Sequence, residues 1–181
     1  MEPEAPSRTP PAPFIVTGEL PADVLAWADG LRRAHFPPER NRLRAHVTLF
    51  HSFAPSLREE LPRFLAAMAA EFIPPPAEVS GLMDLGKGTA IVISSPGLLA
   101  VRQLIADRFH DMLTAQDRGG KKLHITIQNK VPRDAALALQ KALAPTIARR
   151  RFAFTGLGLH IYRNPLWEPV GTWSFRGQVS A

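Results

Sequence analysis

The 181-residue chain has no cysteine, only one tyrosine and no long apolar run. Without cysteine, a disulfide scaffold, an iron–sulfur cluster and a cysteine nucleophile are all excluded. The longest clearly apolar stretch, residues 64–70, is far shorter than the roughly 20 residues that span a bilayer. We therefore expect no membrane insertion. The missing cysteine also suits a reducing cytoplasm, which is where we expect the protein to act.

The first 13 residues are acidic and proline-rich and have neither the basic nor the apolar segment of a secretory signal. We interpret residues 1–13 as a mobile tail. The remaining residues, 14–181, are predicted to form one domain with two lobes. A hydrophobic content of 45% is high enough for such a domain to bury a core.

The chain is basic, with 22 Lys and Arg against 16 Asp and Glu and a net charge of +6. Such a balance favours polyanionic partners through long-range attraction. An equally acceptable interpretation is that the excess charge only aids solubility. The basic residues are unevenly spread, with concentrations at residues 32–33, 39–44, 118–122 and 149–151.

Two types of hydrophobic periodicity alternate along the chain. Runs rich in β-branched and apolar residues predict strands at residues 14–17, 43–53, 77–85, 89–94, 121–131, 152–162 and 170–175. Helical spacing predicts helices at residues 21–35, 56–72, 95–114 and 132–147. The order of elements in the second half largely repeats that of the first, which indicates two similar α+β lobes facing each other.

Two of these strands carry the same pattern of side chains. Residues 44–49 read RAHVTL, and residues 122–127 read KLHITI. Because strand side chains alternate between faces, the basic residue, histidine and threonine of each motif share one face. These polar faces comprise Arg44, His46 and Thr48 in the first strand and Lys122, His124 and Thr126 in the second. One such motif is commonly structural, but two in corresponding elements are hard to attribute to chance.

This arrangement suits chemistry on a phosphate. Two imidazoles that flank one phosphate can act as base and acid, because histidine titrates near working pH. Threonine hydroxyls can bond phosphoryl oxygens, and Arg44 and Lys122 can add positive charge around them. A metal bound by the two histidines is the alternative, but the motifs offer no carboxylate or cysteine to complete a usual ligand set. We therefore expect neither a metal nor a cofactor.

The two motifs resemble the paired His-x-Thr-hydrophobic signatures of the 2H phosphoesterase superfamily, in particular its bacterial 2′-5′ RNA ligase and cyclic phosphodiesterase branch. The resemblance implies an α+β, bilobal, pseudo-two-fold fold with two antiparallel sheets, flanking helices and a central groove. It also implies metal-independent opening of RNA 2′,3′-cyclic phosphates to 2′-phosphates, and in some members reversible 2′-5′ ligation. RNA ends or cyclic nucleotides would be the partners of a monomeric protein.

The resemblance implies roles for the four shared residues. His46 and His124 would be the acid–base pair, and Thr48 and Thr126 would bind the phosphate. Which histidine is the acid stays open. The family often has a basic residue close after the second motif, and here Lys130 is the only near candidate.

Further candidates for contact with the substrate are Arg44, Lys122, Lys130 and Tyr162. Trp167, Trp173 and Tyr162 are the aromatic residues that can stack on a base, although core packing is the more common role for tryptophan in a strand. His51 is expected to have a structural or surface role, and His160 is expected to lie at the edge of the core. The alternative function is a non-catalytic module that binds nucleotides or RNA ends on the same fold, which product formation would distinguish.

Overall fold

A computed structural model describes residues 11–178, which form eight strands and five α-helices. Residues 1–10 of the predicted tail lie outside the described residues. The strands are β1 (Phe14–Glu19), β2 (Val47–Phe53), β3 (Pro76–Asp84), β4 (Thr89–Ser94), β5 (Leu123–Gln128), β6 (Arg151–Ala153), β7 (Gly156–Tyr162) and β8 (Trp167–Ser174). The helices are α1 (Ala22–His35), α2 (Glu60–Glu71), α3 (Pro96–Arg108), α4 (Ala115–Arg118) and α5 (Arg133–Leu143). None of the helices in this described part is long and apolar enough to cross a bilayer.

The strands form two antiparallel sheets of four, in the orders β2-β1-β7-β8 and β5-β4-β3-β6. The strand order of the two sheets is pseudo-symmetric: each motif strand, β2 or β5, lies at one edge of its sheet, beside the strand that precedes it in the chain. Helix α1 connects β1 to β2, and α3 leads from β4 towards β5. The predicted α+β fold with two lobes, two antiparallel sheets and a groove between them is therefore confirmed.

Alternating burial fixes the orientation of both motif strands. In β5, Leu123, Ile125 and Ile127 are almost completely buried, whereas His124 and Thr126 are half-buried. The same alternation starts β2, where Val47 and Leu49 are fully buried. Burial of a large aliphatic side chain contributes roughly 1.5–3 kcal/mol, so a register shift of one residue would expose several such groups to water.

The first motif strand is shorter than predicted, beginning at Val47 rather than residue 43. The backbone N–H of Ala45 donates to Oδ1 of Asp29 in α1 at 2.6 Å, and the Arg44 guanidinium donates to Oδ2 of the same carboxylate at 2.9 Å. These bonds hold the segment before His46 against the helix. Asp29 thereby fixes the backbone that enters the site.

The predicted strand at residues 152–162 is two strands that belong to different sheets. Strand β6 pairs with β3, and β7 pairs with β1. Between them, the N–H of Phe154 donates to the Pro75 carbonyl at 3.0 Å, and the N–H of Thr155 donates to the Glu19 carbonyl at 2.9 Å. The chain therefore crosses from one lobe to the other at residues 154–155.

Two buried arginines on corresponding helices tie each lobe to the motif strand of the other. Arg32 of α1 donates from Nη1 to the Thr126 carbonyl in β5 at 2.8 Å. Arg102 of α3 donates from Nε to the Leu49 carbonyl in β2 at 3.0 Å. Because β2 and β5 are edge strands, they present backbone groups that their own sheets do not pair. The arginines bind these strands and link the two lobes.

The buried carboxylate of Asp117 in α4 holds the far end of β2. It accepts hydrogen bonds from the backbone N–H groups of His51 and Ser52, at 2.9 and 3.0 Å, and from Nδ1 of His51 at 3.1 Å. Burial raises the pKa of Asp117, but the hydrogen bonds from His51 and Ser52 outweigh it, so the pKa lies below its ordinary value. His51 thus has a structural role away from the site.

The substitution Asp117→Asn is expected to lower the free energy of unfolding at pH 7 by about 2–4 kcal/mol, because it leaves buried donors without a charged acceptor. A lowered folded-state pKa stabilises the fold above the unfolded-state pKa, and this contribution is lost as the pH falls through the folded-state pKa. Urea unfolding should therefore show a large difference at pH 7, and the difference should shrink as the pH falls below the ordinary Asp pKa of about 3.9. Asp111→Asn, at a 98% exposed side chain, is the control. Equal stability of the Asp117 variant and the unsubstituted protein at pH 7 would contradict this role.

Candidate active site

The histidines of the two motifs are held in the same way. Nδ1 of His46 lies 2.8 Å from the Arg44 carbonyl, and Nδ1 of His124 lies 2.8 Å from the Lys122 carbonyl. Because a carbonyl oxygen only accepts, each Nδ1 carries a proton and donates it to this bond. Nε2 is therefore the ring atom through which each histidine can exchange protons with a ligand.

Strands β2 and β5 are in contact, and the charge of His124 acts on His46 across this contact. Burial is the largest cause that lowers the pKa of His46. The charges of Arg32, His160 and His124 lower it further, against the opposing effect of the hydrogen bond to the Arg44 carbonyl. Together they lower the pKa of His46 from 6.5 to about 4. Without a ligand, His46 is thus neutral at physiological pH.

We expect the His46 ring to stay neutral on acidification until about pH 4. Nitrogen-15 NMR of the histidine side chains can follow this titration, with His46→Ala identifying the signal. Inorganic phosphate bound beside the ring should raise the midpoint, because a nearby anion favours the charged imidazole. A midpoint at or above 6.5 in the ligand-free protein would contradict the electrostatics of this site.

Thr48 and Thr126 follow their histidines by two residues and are half-buried like them. The intervening residues, Val47 and Ile125, are fully buried. Each hydroxyl therefore lies on the same side of its strand as the imidazole. The two strands present matching pairs of one imidazole and one hydroxyl from opposite lobes.

A third histidine, His160 in β7, lies near His46 and lines the same cavity. The sequence predicts only that His160 lies at the edge of the core. The His160 ring is 5.4 Å from the Trp167 ring, and Trp167 is 4.4 Å from the ring of His46, measured between centroids. Burial lowers the pKa of His160, although the carboxylate of Glu19 opposes this effect. His160 is half-buried, as expected for the edge of the core, and it also lines the cavity beside His46.

Trp167, a candidate for base stacking, lies between these two imidazoles. The sequence carries only a weak signal for His160, a polar residue at the end of the apolar strand GLGLHIY. No sequence pattern indicates that β7 lies beside β1. This pairing is what brings His160 near the first motif.

A cavity of about 440 Å³ adjoins His46 on the side of the first lobe. Its lining combines apolar side chains with a few charged ones. The lining residues are Gly18, Glu19, Leu20, Leu25, Arg42, Leu43, Arg44, Ala45, His46, His160, Leu166, Trp167 and Pro169. Of the candidates Arg44, Lys122, Lys130 and Tyr162, Arg44 belongs to this lining, and its side chain is 72% exposed while paired with Asp29. Trp167, a candidate for base stacking, lines the cavity as well.

The other predicted contacts lie outside the cavity. Lys122 is exposed immediately before β5, and exposed Lys130 lies in the turn after it with a φ of 57°. Exposed Tyr162 donates from its hydroxyl to Oδ1 of Asn164 at 3.0 Å. Within residues 11–178 there is no group of three or more His, Asp and Glu side chains arranged to hold a metal ion.

Several known structures share this fold. TT0787 of Thermus thermophilus is 14% identical, with a TM-score of 0.65 over 92% of this chain and 100% of that protein. E. coli LigT complexed with 3′-AMP is 20% identical, with a TM-score of 0.57 over 91% of this chain and 98% of LigT. A structure described only as a phosphoesterase is 18% identical, with a TM-score of 0.55 over 93% of this chain and 99% of that one.

No curated protein matches the sequence. At the level of families, however, the model of the 2′-5′ RNA ligase superfamily matches residues 20–165, which include both motifs and most of the two sheets. The resemblance inferred from the paired motifs is confirmed: the chain belongs to the 2′-5′ RNA ligase superfamily, within the 2H phosphoesterases.

Proposed function

We propose that this protein is a metal-independent phosphodiesterase that opens 2′,3′-cyclic phosphates at RNA ends to 2′-phosphates. The observation that carries the proposal is the pair of equivalent imidazoles, His46 and His124, each tethered through Nδ1 to the carbonyl two residues before it and brought to the contact between β2 and β5. Membership of a superfamily of RNA ligases and phosphoesterases supports the same class of reaction.

In the proposed reaction, a cyclic phosphate binds between the two motifs. One imidazole is neutral and accepts a proton from water through Nε2, while the water oxygen forms a bond to phosphorus. The bond from phosphorus to O3′ breaks, and the other imidazole, in its protonated form, donates its proton to O3′. The product has a 2′-phosphate and a free 3′-hydroxyl, and the enzyme needs only proton exchange with solvent to recover.

The hydroxyls of Thr48 and Thr126 would donate hydrogen bonds to the non-bridging oxygens, where negative charge accumulates in the transition state. Arg32 adds a fixed positive charge close to His46, which is also why it lowers the pKa of that residue. The same step with the 5′-hydroxyl of another RNA in place of water would give a 2′-5′ bond. Abundant water favours hydrolysis.

The test is to incubate the purified protein with a nucleoside 2′,3′-cyclic phosphate in the presence of EDTA and to identify the product by phosphorus-31 NMR. We expect the 2′-monoester as the sole product and a rate that EDTA does not change. Formation of the 3′-monoester would contradict the proposed direction of opening. Binding of the nucleotide without any product between pH 5 and about pH 8 would favour the non-catalytic binding module instead.

A further inference from the structure

The cavity beside His46 has the features of a site for a nucleoside. Its volume, about 440 Å³, lies within the range of pockets that hold small ligands. Its lining includes Trp167 and the leucines Leu25 and Leu166. Apolar and aromatic surface of this kind suits the faces of a nucleobase.

Continuity with the proposed phosphate site identifies the occupant. His46 is both the wall of the cavity and one of the two imidazoles proposed to flank the phosphate. A nucleoside whose cyclic phosphate lies between His46 and His124 therefore extends its sugar and base from the phosphate into the adjoining space. The base needs no additional pocket.

Glu19 gives this cavity a fixed acceptor. The Thr17 hydroxyl donates to Oε1 of Glu19 at 2.8 Å, and the oxygen of Thr17 accepts in turn from Nε2 of His160 at 3.2 Å. A β-carbon on Gly158 in β7 would collide with the side chains of both Glu19 and Thr17, so glycine is required for them to lie against this strand. The Glu19 carboxylate is thereby held in place, and it can accept further hydrogen bonds from a ligand.

We propose that this cavity binds the base of the terminal nucleoside and that Glu19 selects guanine. This inference rests on the proposed function. Guanine presents two neighbouring donors, N1–H and the N2 amino group, which can pair with a carboxylate, whereas uracil presents a single N–H. A carboxylate here would repel a phosphate, which favours a base as the ligand. Discrimination by a paired contact of this kind is worth about tenfold or more.

The arginines at the rim, Arg42 and Arg44, indicate the direction in which a longer RNA substrate continues. Both line the cavity and are exposed, and Arg44 is anchored by Asp29. An RNA chain that ends in the cavity continues through the phosphate on the 5′ side of its last nucleoside. Positive charge at the rim suits that phosphate.

The experiment compares kcat/KM for three substrates: guanosine 2′,3′-cyclic phosphate, uridine 2′,3′-cyclic phosphate and the 2,3-cyclic phosphate of methyl riboside, which has no base. We expect the unsubstituted protein to favour guanosine over uridine by about tenfold or more. Both nucleotides should exceed the methyl riboside. The isosteric variant Glu19→Gln, which retains an acceptor for Thr17 but replaces one oxygen with a donor, should reduce the guanosine-to-uridine ratio to about one.

Glu168→Gln is the matched control, because Glu168 is exposed, pairs with Arg163 and lies outside the cavity lining. It should leave the ratio unchanged. Equal rates for all three substrates, or an unchanged ratio in Glu19→Gln, would overturn the base site while the proposed phosphodiesterase stands. No turnover of any substrate would overturn the proposed function itself.

Discussion

The variants His46→Ala and His124→Ala are each expected to lower kcat/KM for a nucleoside 2′,3′-cyclic phosphate by about 10²–10⁴-fold. Each removes one of the two groups that transfer protons, and the tether from Nδ1 to a backbone carbonyl shows that both rings are held in one tautomer. Because acid and base act on the same phosphate, the double variant should be little worse than either single variant. Initial rates with each substrate well below its KM provide the measurement.

His110→Ala is the control for these two variants. His110 is 78% exposed in its side chain and pairs with the exposed Asp111. Its replacement should leave kcat/KM unchanged, and circular dichroism should show the same fold for all variants. Turnover near that of the unsubstituted protein in either motif variant would contradict the assignment of the acid–base pair, and fully additive losses would contradict a shared phosphate.

The second large effect is expected from Thr48→Val and Thr126→Val. Valine keeps the shape of threonine and its preference for strands, so the loss is confined to one hydroxyl donor. Removing a donor to a developing negative charge costs about 10²–10³-fold in kcat in comparable sites. We expect each variant to lose activity mainly in kcat, because the bond strengthens as charge accumulates on the phosphoryl oxygens.

Thr172→Val provides the comparison, since Thr172 is exposed in β8, where it pairs with Gly158 across the sheet. It should retain full activity. A loss confined to KM in the Thr48 and Thr126 variants would mean that the hydroxyls bind substrate and transition state equally. No loss in either variant would remove the threonines from the site.

The sequence predicts the part of the site that depends on local patterns. Alternation from residue 46 into β2, and along β5, places the histidine and threonine of each motif on the half-buried face. The residue between them, Val47 or Ile125, is aliphatic and must enter the core. Repetition of this pattern in both halves of the chain indicates two lobes. The sheet order follows from neither observation, since pairing between distant strands depends on the packing of the whole chain.

The remainder of the site comes from contacts between distant residues. Arg32 appears in the sequence only as part of a basic cluster, but burial against β5 makes it a link between lobes and a source of charge near His46. His160 lies near the site because β7 pairs with β1. There it contacts the hydroxyl of Thr17, which lies 143 residues earlier in the chain. Both contacts join residues that are far apart in the sequence, so hydrophobic periodicity cannot predict them.

The central claim is that His46 and His124 serve a single phosphate, and a crystal structure with guanosine 2′-phosphate, the product of the proposed reaction, tests it most directly. We expect Nε2 of both rings to lie about 3 Å from oxygens attached to the same phosphorus, with the hydroxyls of Thr48 and Thr126 bonded to its other oxygens. A phosphate that contacts only one of the two imidazoles, or that binds away from both, would contradict the claim.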